Sequence, residues 1–178
     1  MKPSPSAYLD TSFFTGLLEN EGGRQAKAKA VLHYERSQGT KFHTSFLTLN
    51  EFAVKYYDKY RDQPDCEERV NEAIASIRNI ANVHGLNDDI AKDSARIMSI
   101  WGAIQKAKPP SEPRDRKHRW DSIHLATANT IKVARAYAFD ERGLWVGFPK
   151  DKLLGIGKII SPAEPPQMEL QEKLPLPE

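Results

Sequence analysis

Short strand-like runs alternate with longer helical segments along this chain, and that alternation most constrains its fold. Between the runs, apolar residues recur at helical spacing, as in Val70, Ile74, Ile77 and Ala81 and again in Ile90, Ile97, Trp101 and Ile104. Each set predicts one buried helix face. Such alternation is typical of an α/β domain with a mainly parallel central sheet. The five strand candidates are AYL at 7–9, KFHTS at 41–45, ANVHGL at 81–86, AYAF at 136–139 and KIIS at 158–161.

Composition limits the class of protein. A chain of 178 residues with 39% hydrophobic residues suits one globular domain with a sizeable core. A single cysteine, Cys66, allows neither an internal disulfide nor a cysteine-based zinc site. No apolar run is long enough to span a bilayer. We therefore expect a cytoplasmic protein with no membrane function, and a net charge of +2 does not by itself require a nucleic-acid partner.

Two segments stand apart from this pattern. Residues 106–119 predict a loop, because two adjacent prolines end a helix there and are followed by Arg114, Arg116, Lys117 and Arg119. Residues 162–178 hold five prolines and four glutamates against one lysine, with too little apolar surface to offset the entropy of ordering. We therefore expect one domain over residues 1–161, followed by an acidic, proline-rich tail at 162–178 that is flexible or binds a partner.

Four acids fall at junctions between these elements. Asp10 directly follows the first strand, and Glu51 lies in the first turn of the helix after the second. Asp121 stands at the start of a helix, and Asp140 directly follows the run at 136–139. Because the carboxyl ends of parallel strands share one edge of a sheet, we expect the four carboxylates to meet there.

Each acid also has a purely structural interpretation. Asp10 and Asp121 suit helix caps, Thr48 and Glu51 fit a capping box, and Asp140 suits a turn. Four converging carboxylates, however, would repel one another unless a cation lay between them. An all-oxygen ligand set suits Mg²⁺ or Mn²⁺ rather than zinc.

In chain order, AYLDTSFF, SFLTLNEF, RWDSIHLATA and AYAFDERG resemble the four signature blocks of the PIN domain. The resemblance implies a three-layer α/β/α sandwich over about residues 6–161 and a metal-dependent ribonuclease. It implies that water activated by Mg²⁺ or Mn²⁺ hydrolyses an RNA phosphodiester bond. The metal-binding and catalytic residues implied are Asp10, Glu51, Asp121 and Asp140, with Thr11 or Ser12 supporting them. His124, one turn after Asp121, could line the same cleft, but we interpret it as a packing residue.

Within the PIN family, the chain is most similar to VapC-type toxins. That similarity implies an RNA substrate, an antitoxin protein as partner, and a homodimer. The basic loop and the acidic tail depart from the pattern of those toxins. We expect Arg114, Arg116, Lys117 and Arg119 to bind RNA phosphates, because the loop immediately precedes Asp121.

Two other functions compete with the nuclease. A phosphatase of the haloacid-dehalogenase type uses a second aspartate two residues after the first, where this chain has Ser12. A catalytically silent PIN-like scaffold that binds RNA or protein is the stronger alternative, since a fold does not determine a function. The presence of all four acids favours the enzyme.

Overall fold

The computed structural model describes residues 5–109, 111, 119–140 and 143–160. Three of the predicted RNA-binding residues, Arg114, Arg116 and Lys117, lie outside the described residues, as does the predicted tail at 162–178. Over the described part of the chain, no helix is both long enough and apolar enough to cross a membrane.

A five-stranded, all-parallel sheet forms the centre of the domain, in the spatial order β3-β2-β1-β4-β5. The chain first builds outward from β1 to β3 and then returns to the other side of β1 for β4 and β5. The strand order therefore reverses between β1 and β4, where open α/β sheets form a crevice at the carboxyl ends of their strands. The strands are β1 (Ser6–Leu9), β2 (Lys41–Ser45), β3 (Asn82–His84), β4 (Arg135–Tyr137) and β5 (Lys158–Ile160).

Helices cover both faces of the sheet, so the predicted three-layer sandwich is confirmed. Side chains of β1 alternate between two apolar clusters: Leu9 packs with residues of α1 to α4, and Tyr8 packs with residues of α5 to α7. The residues of both predicted helical stripes belong to these clusters or pack against them, except Val70, which is buried outside them. The helices are α1 (Thr11–Glu19), α2 (Gln25–Ser37), α3 (Phe46–Tyr60), α4 (Cys66–Ile80), α5 (Asp88–Ala107), α6 (Arg119–Thr130) and α7 (Leu144–Gly147).

The predicted end of the fourth strand is wrong. β4 ends at Tyr137, so Asp140 lies three residues beyond the strand instead of directly after it. The backbone N–H of Phe139 donates to the side-chain oxygen of Ser12 at 2.9 Å rather than continuing the ladder. The apolar run continues past the strand because Phe139 is buried in the core beside α1.

Two of the structural interpretations of these acids as caps are also wrong. Helix α3 begins at Phe46, and Ser45 is its N-cap, accepting a hydrogen bond from the N–H of Leu47 at 3.1 Å. Thr48 therefore lies inside the helix and forms no capping box with Glu51. Asp121 is the third residue of α6, within the first turn rather than at the N-cap. The cap predicted for Asp10 is confirmed, since its side chain accepts from the N–H of Ser12.

Candidate functional site

A cavity of about 310 Å³ opens at the carboxyl edge of the sheet, beside the point where the strand order reverses. We call it the acid cavity. All four predicted acids line it, although they come from four separate parts of the chain. The residues that line it are Asp10, Thr11, Ser12, Thr15, Glu21, Arg24, Glu51, Asp121, His124 and Asp140.

Asp10 is fixed in this cavity by its own helix. Asp10 is 4% exposed, and its side chain accepts from the N–H of Ser12 at 3.0 Å and from the hydroxyl of Ser12 at 2.8 Å. The Ser12 oxygen in turn accepts from the N–H of Phe139, and the N–H of Asp10 donates to the carbonyl of Tyr137 at 3.0 Å. Ser12 thus joins the end of β1 to the segment that carries Asp140, and its supporting role in the site stays a prediction.

Thr11, Glu51 and His124 form a second group. The Thr11 hydroxyl donates a short hydrogen bond to Glu51. The Nε2 atom of His124 lies 3.2 Å from Oε2 of Glu51, and its Nδ1 atom lies 2.7 Å from the hydroxyl of Tyr8 and 3.7 Å from Oδ1 of Asp10. Glu51 is therefore oriented by contacts across the cavity.

The structure corrects our interpretation of His124 as a packing residue. Its side chain is buried, but the ring contacts two acids of the cavity and lines it. The three-residue spacing from Asp121 already placed both side chains on one helix face. That spacing was the available sequence signal.

Acidic side chains outnumber basic ones in the lining of the acid cavity. Burial, together with the charges of Asp10 and Asp121, raises the pKa of Asp140 from 3.8 to about 7, against the opposing effect of Arg24. Burial also raises the pKa of Asp10, although His124 and the hydrogen bonds from Ser12 oppose it. These two carboxyl groups resist ionisation because little positive charge compensates them.

Glu51 and His124 stabilise each other's charge. Burial alone would raise the pKa of Glu51, but the hydrogen bond and charge of His124, with the hydrogen bond from Thr11, lower it below its usual value. Burial alone would lower the pKa of His124, but the charge of Asp10 and the hydrogen bond to Glu51 raise it. The excess negative charge therefore lies on the Asp10 and Asp140 side of the cavity.

The donor set of the cavity suits a hard cation. Within the described ranges, no three His, Cys, Asp or Glu side chains come together closely enough to hold one metal ion. A preformed protein cage is therefore not present there. Mg²⁺ does not require one, because it commonly keeps several waters and is bound through one or two carboxylates. Carboxylates that resist ionisation without a cation fit such an ion.

Arg24 is a residue that sequence reasoning missed. Its guanidinium lies 5.1 Å from the centre of the Phe139 ring, and its side chain lines the acid cavity. Gly16 permits this arrangement, because a Cβ there would lie 2.8 Å from the Phe139 ring and 3.0 Å from Cβ of Arg24. Arg24 comes before α2 and outside the acid motifs, so no sequence pattern indicated it.

Arg119 is the one predicted RNA-binding residue that the structure describes. It is the first residue of α6 and is exposed, but it does not line the acid cavity. Its predicted role stays a prediction.

Comparison with known proteins identifies the fold. No protein-family model and no curated protein matches the chain. The structure is similar to VapBC2 from Rickettsia felis, bound to a DNA fragment from its promoter, with a TM-score of 0.55, 6% identity, and coverage of 88% of this chain and 98% of that one. A second similar structure is VapC20 from Mycobacterium tuberculosis, described as a toxin that cleaves the sarcin-ricin loop. Its TM-score is 0.53 at 21% identity, and the match covers 81% of this chain and 97% of that one. A third is VapBC-1 from nontypeable Haemophilus influenzae, with a TM-score of 0.54 at 16% identity and coverage of 89% of this chain and 99% of that one. At these identities the likeness shows the fold, which is PIN-like, as the sequence predicted.

Proposed function

We propose that this protein is a metal-dependent endoribonuclease that hydrolyses RNA phosphodiester bonds at the acid cavity. One observation carries the proposal: four carboxylates from separate parts of the chain line a single cavity, where two of them resist ionisation. The fold adds support, because it is shared with a toxin described as cleaving the sarcin-ricin loop. Buried like charges are costly, so their convergence favours a cation-binding function over a structural one.

Asp10, Asp121 and Asp140 would hold Mg²⁺ or Mn²⁺, with Glu51 as the fourth acid. When bound, the ion lowers the pKa of a water molecule, orients it for attack and neutralises charge that develops on the phosphate. Through its two hydrogen bonds, Ser12 holds Asp10 beside the segment that carries Asp140. Because it acts on both sides of the cavity, Ser12 sets the spacing of the acids.

Glu51 has a different environment and a different task. Its hydrogen bonds with Thr11 and His124 hold its carboxylate ionised and oriented toward the cavity. An ionised, oriented carboxylate can position a water molecule or bind the metal through water. Arg24 places a positive charge on the cavity wall, where it would bind a phosphate oxygen of the substrate.

We further propose that the protein is the toxin of a toxin-antitoxin pair, with RNA as substrate, an antitoxin protein as partner, a homodimeric state and a cytoplasmic location. Support comes from the fold, since two of the similar structures are VapBC structures. Co-expression with the product of the adjacent gene tests the pairing: toxicity to the host cell should appear without that product and disappear with it. Growth arrest in neither condition would contradict the toxin assignment while leaving the nuclease assignment open.

A catalytically silent scaffold remains the second candidate, favoured by the absence of a compact three-ligand group among the described residues. Melting of the EDTA-treated protein in rising Mg²⁺ or Mn²⁺ separates the two. A metal that binds only the folded protein stabilises it by about 2.7 kcal/mol at 100 times its dissociation constant. We expect the melting temperature to rise for the parent and to stay constant for Asp140→Asn. An equal response in both, or in neither, would favour the scaffold.

A further inference from the structure

A second pocket lies beside the acid cavity, on the side of β4 and β5. It has a volume of about 160 Å³ and shares one lining residue, Asp140, with the acid cavity. We call it the β4–β5 pocket. Its lining residues are Ala138, Asp140, Trp145, Val146, Lys150 and Ile159.

The chemistry of this pocket differs from that of the acid cavity. Aromatic and aliphatic side chains form most of its wall, and the one basic residue in the lining, Lys150, is exposed. Trp145 is 1% exposed, yet in the part of the chain that the structure describes its indole N–H has no hydrogen-bond partner. A buried donor without a partner is costly and calls for an explanation, such as a ligand that accepts its hydrogen bond.

We propose that the β4–β5 pocket receives one unstacked base of the RNA whose phosphate lies in the acid cavity, an inference that rests on the proposed nuclease function. A base combines a flat apolar face with hydrogen-bond acceptors at its edge, which matches the apolar side chains of Val146 and Ile159 and the free N–H of Trp145. Single-stranded RNA is commonly recognised through bases that leave the stack and form hydrogen bonds with the protein at their edges. Lys150 binds the adjacent phosphate at the mouth.

The position of Asp140 supports the assignment to RNA. Because Asp140 lines both spaces, a strand with a phosphate at the acids would place a neighbouring nucleotide over the β4–β5 pocket. The pocket would then determine which base stands next to the cleaved bond. A specificity-determining site of this kind is separate from the groups that carry out hydrolysis.

A scan with abasic nucleotides tests the proposal. A short single-stranded RNA carries one abasic nucleotide at each position in turn, and its affinity is measured in EDTA and its cleavage in Mg²⁺. Loss of one base that packs on a protein side chain costs about 5- to 150-fold in affinity. We expect such a loss at one position beside the cleavage site. Equal affinity and equal cleavage at every position would overturn the proposal.

Two matched pairs of variants locate the effect in the pocket. Ala138→Leu fills the pocket from its own wall, whereas Ala75→Leu makes the same change at an exposed position of α4. We expect Ala138→Leu to bind intact RNA as weakly as the parent binds the critical abasic RNA, and to be insensitive to that substitution. If Ala138→Leu keeps the parent's sensitivity, the base does not enter this pocket.

A second pair of variants tests the pocket in case Ala138→Leu does not fold. Lys150→Ala removes the positive charge at the mouth, and Lys152→Ala removes an exposed lysine two residues later. Only Lys150→Ala should weaken RNA binding in EDTA, by a few-fold, with a smaller salt dependence. Equal effects of both would overturn the role of Lys150. If the parent protein cleaves no RNA in Mg²⁺, the proposed nuclease function is wrong. The RNA affinities measured in EDTA still decide separately whether the pocket binds a base.

Discussion

Two clusters of ionic side chains lie at opposite edges of the same sheet. In one, hydrogen-bond donors surround the acid, whereas in the other the acids outnumber the basic groups. At the amino-terminal edge, Glu35 is completely buried and surrounded by donors. Thr40 donates to it at 2.6 Å, the Nε atom of Arg135 lies 2.6 Å from its Oε1, and Tyr137 donates a short hydrogen bond. At the carboxyl edge, the four predicted acids and Glu21 share one histidine and one arginine in the lining of the acid cavity.

The difference separates a structural cluster at one edge from the proposed functional site at the other. A buried carboxylate with enough donors around it fixes α2 against β4, and its charge is neutralised within the fold. The acids of the cavity lack such compensation, as the raised pKa of Asp140 indicates. Excess buried charge destabilises a protein, and it is expected where a ligand supplies the missing charge.

The largest expected effect comes from removing charge at the carboxyl edge, where we propose the active site. Asp10→Asn, Asp121→Asn or Asp140→Asn should each reduce RNA cleavage by at least about 100-fold, as for loss of one electrostatic group at a transition state. Asn is nearly isosteric with Asp and can still cap a helix, so the fold should remain. Cleavage rates and melting curves of the purified variants measure both. Parent-like cleavage by any variant would remove that residue from the site.

Breaking the satisfied cluster should have the reverse outcome. Glu35→Ala leaves Arg135, Thr40 and Tyr137 without their acceptor, and we expect a loss of about 3 kcal/mol. This is the low end of the range for breaking a buried pair, because the side chain of Arg135 is 26% exposed. Urea unfolding measures the loss, with Glu19→Ala as a control for another acid that forms ion pairs. RNA cleavage per folded molecule should not change; a strong loss of activity would contradict the separation of the two edges.

The pH dependence of stability tests the same comparison, and we expect it to change the melting temperature by a few degrees. Asp140 has a pKa of about 7 in the folded protein against 3.8 as its ordinary value, so the unfolded chain releases this proton first as the pH rises. The folded state therefore loses stability between about pH 4 and pH 7. In EDTA, the melting temperature of Asp140→Asn should fall less over this range than that of the parent. Asp151→Asn, at an exposed acid, serves as the control; parallel curves for all three proteins would refute the assignment.

The smallest expected effect concerns positive charge supplied from outside the cavity. Replacing Arg114, Arg116 and Lys117 with Ala should weaken RNA binding in metal-free buffer. The slope of log affinity against log salt should flatten by up to about 0.7 for each lost phosphate contact on single strands. Binding measured across salt concentrations tests this, with Lys27→Ala, Lys29→Ala and Arg36→Ala on α2 as a charge-matched control. An unchanged slope would mean that the loop does not contact phosphate.

Much of this architecture was predictable because local patterns report burial directly. The run at 41–45 became β2 with the predicted bounds, and both helical stripes became core. The four acids were found because parallel strands must end at one edge, which turns positions along the chain into neighbours in space. Periodicity and connection rules carry that information without any side-chain detail.

The errors share a different cause. AYAF is apolar throughout, yet only part of it is strand, because burial of Phe139 against α1 depends on an element far away in the sequence. The capping box at Thr48 matched the motif, but the Thr48 hydroxyl lies 2.8 Å from that of Thr44, and Ser45 caps the helix instead. Local motifs are ambiguous wherever a tertiary partner competes for the same side chain.

By itself, the sequence determined the layered α/β fold and the convergence of Asp10, Glu51, Asp121 and Asp140, since both follow from periodicity and from the parallel connection of strands. Only the tertiary structure decided how the charges are distributed. It placed His124 against Glu51, brought Arg24 to the cavity wall, and surrounded Glu35 with donors from other elements. The physical reason is that hydrogen bonding and desolvation depend on distances of a few ångströms between residues remote in sequence, and no local pattern records those distances.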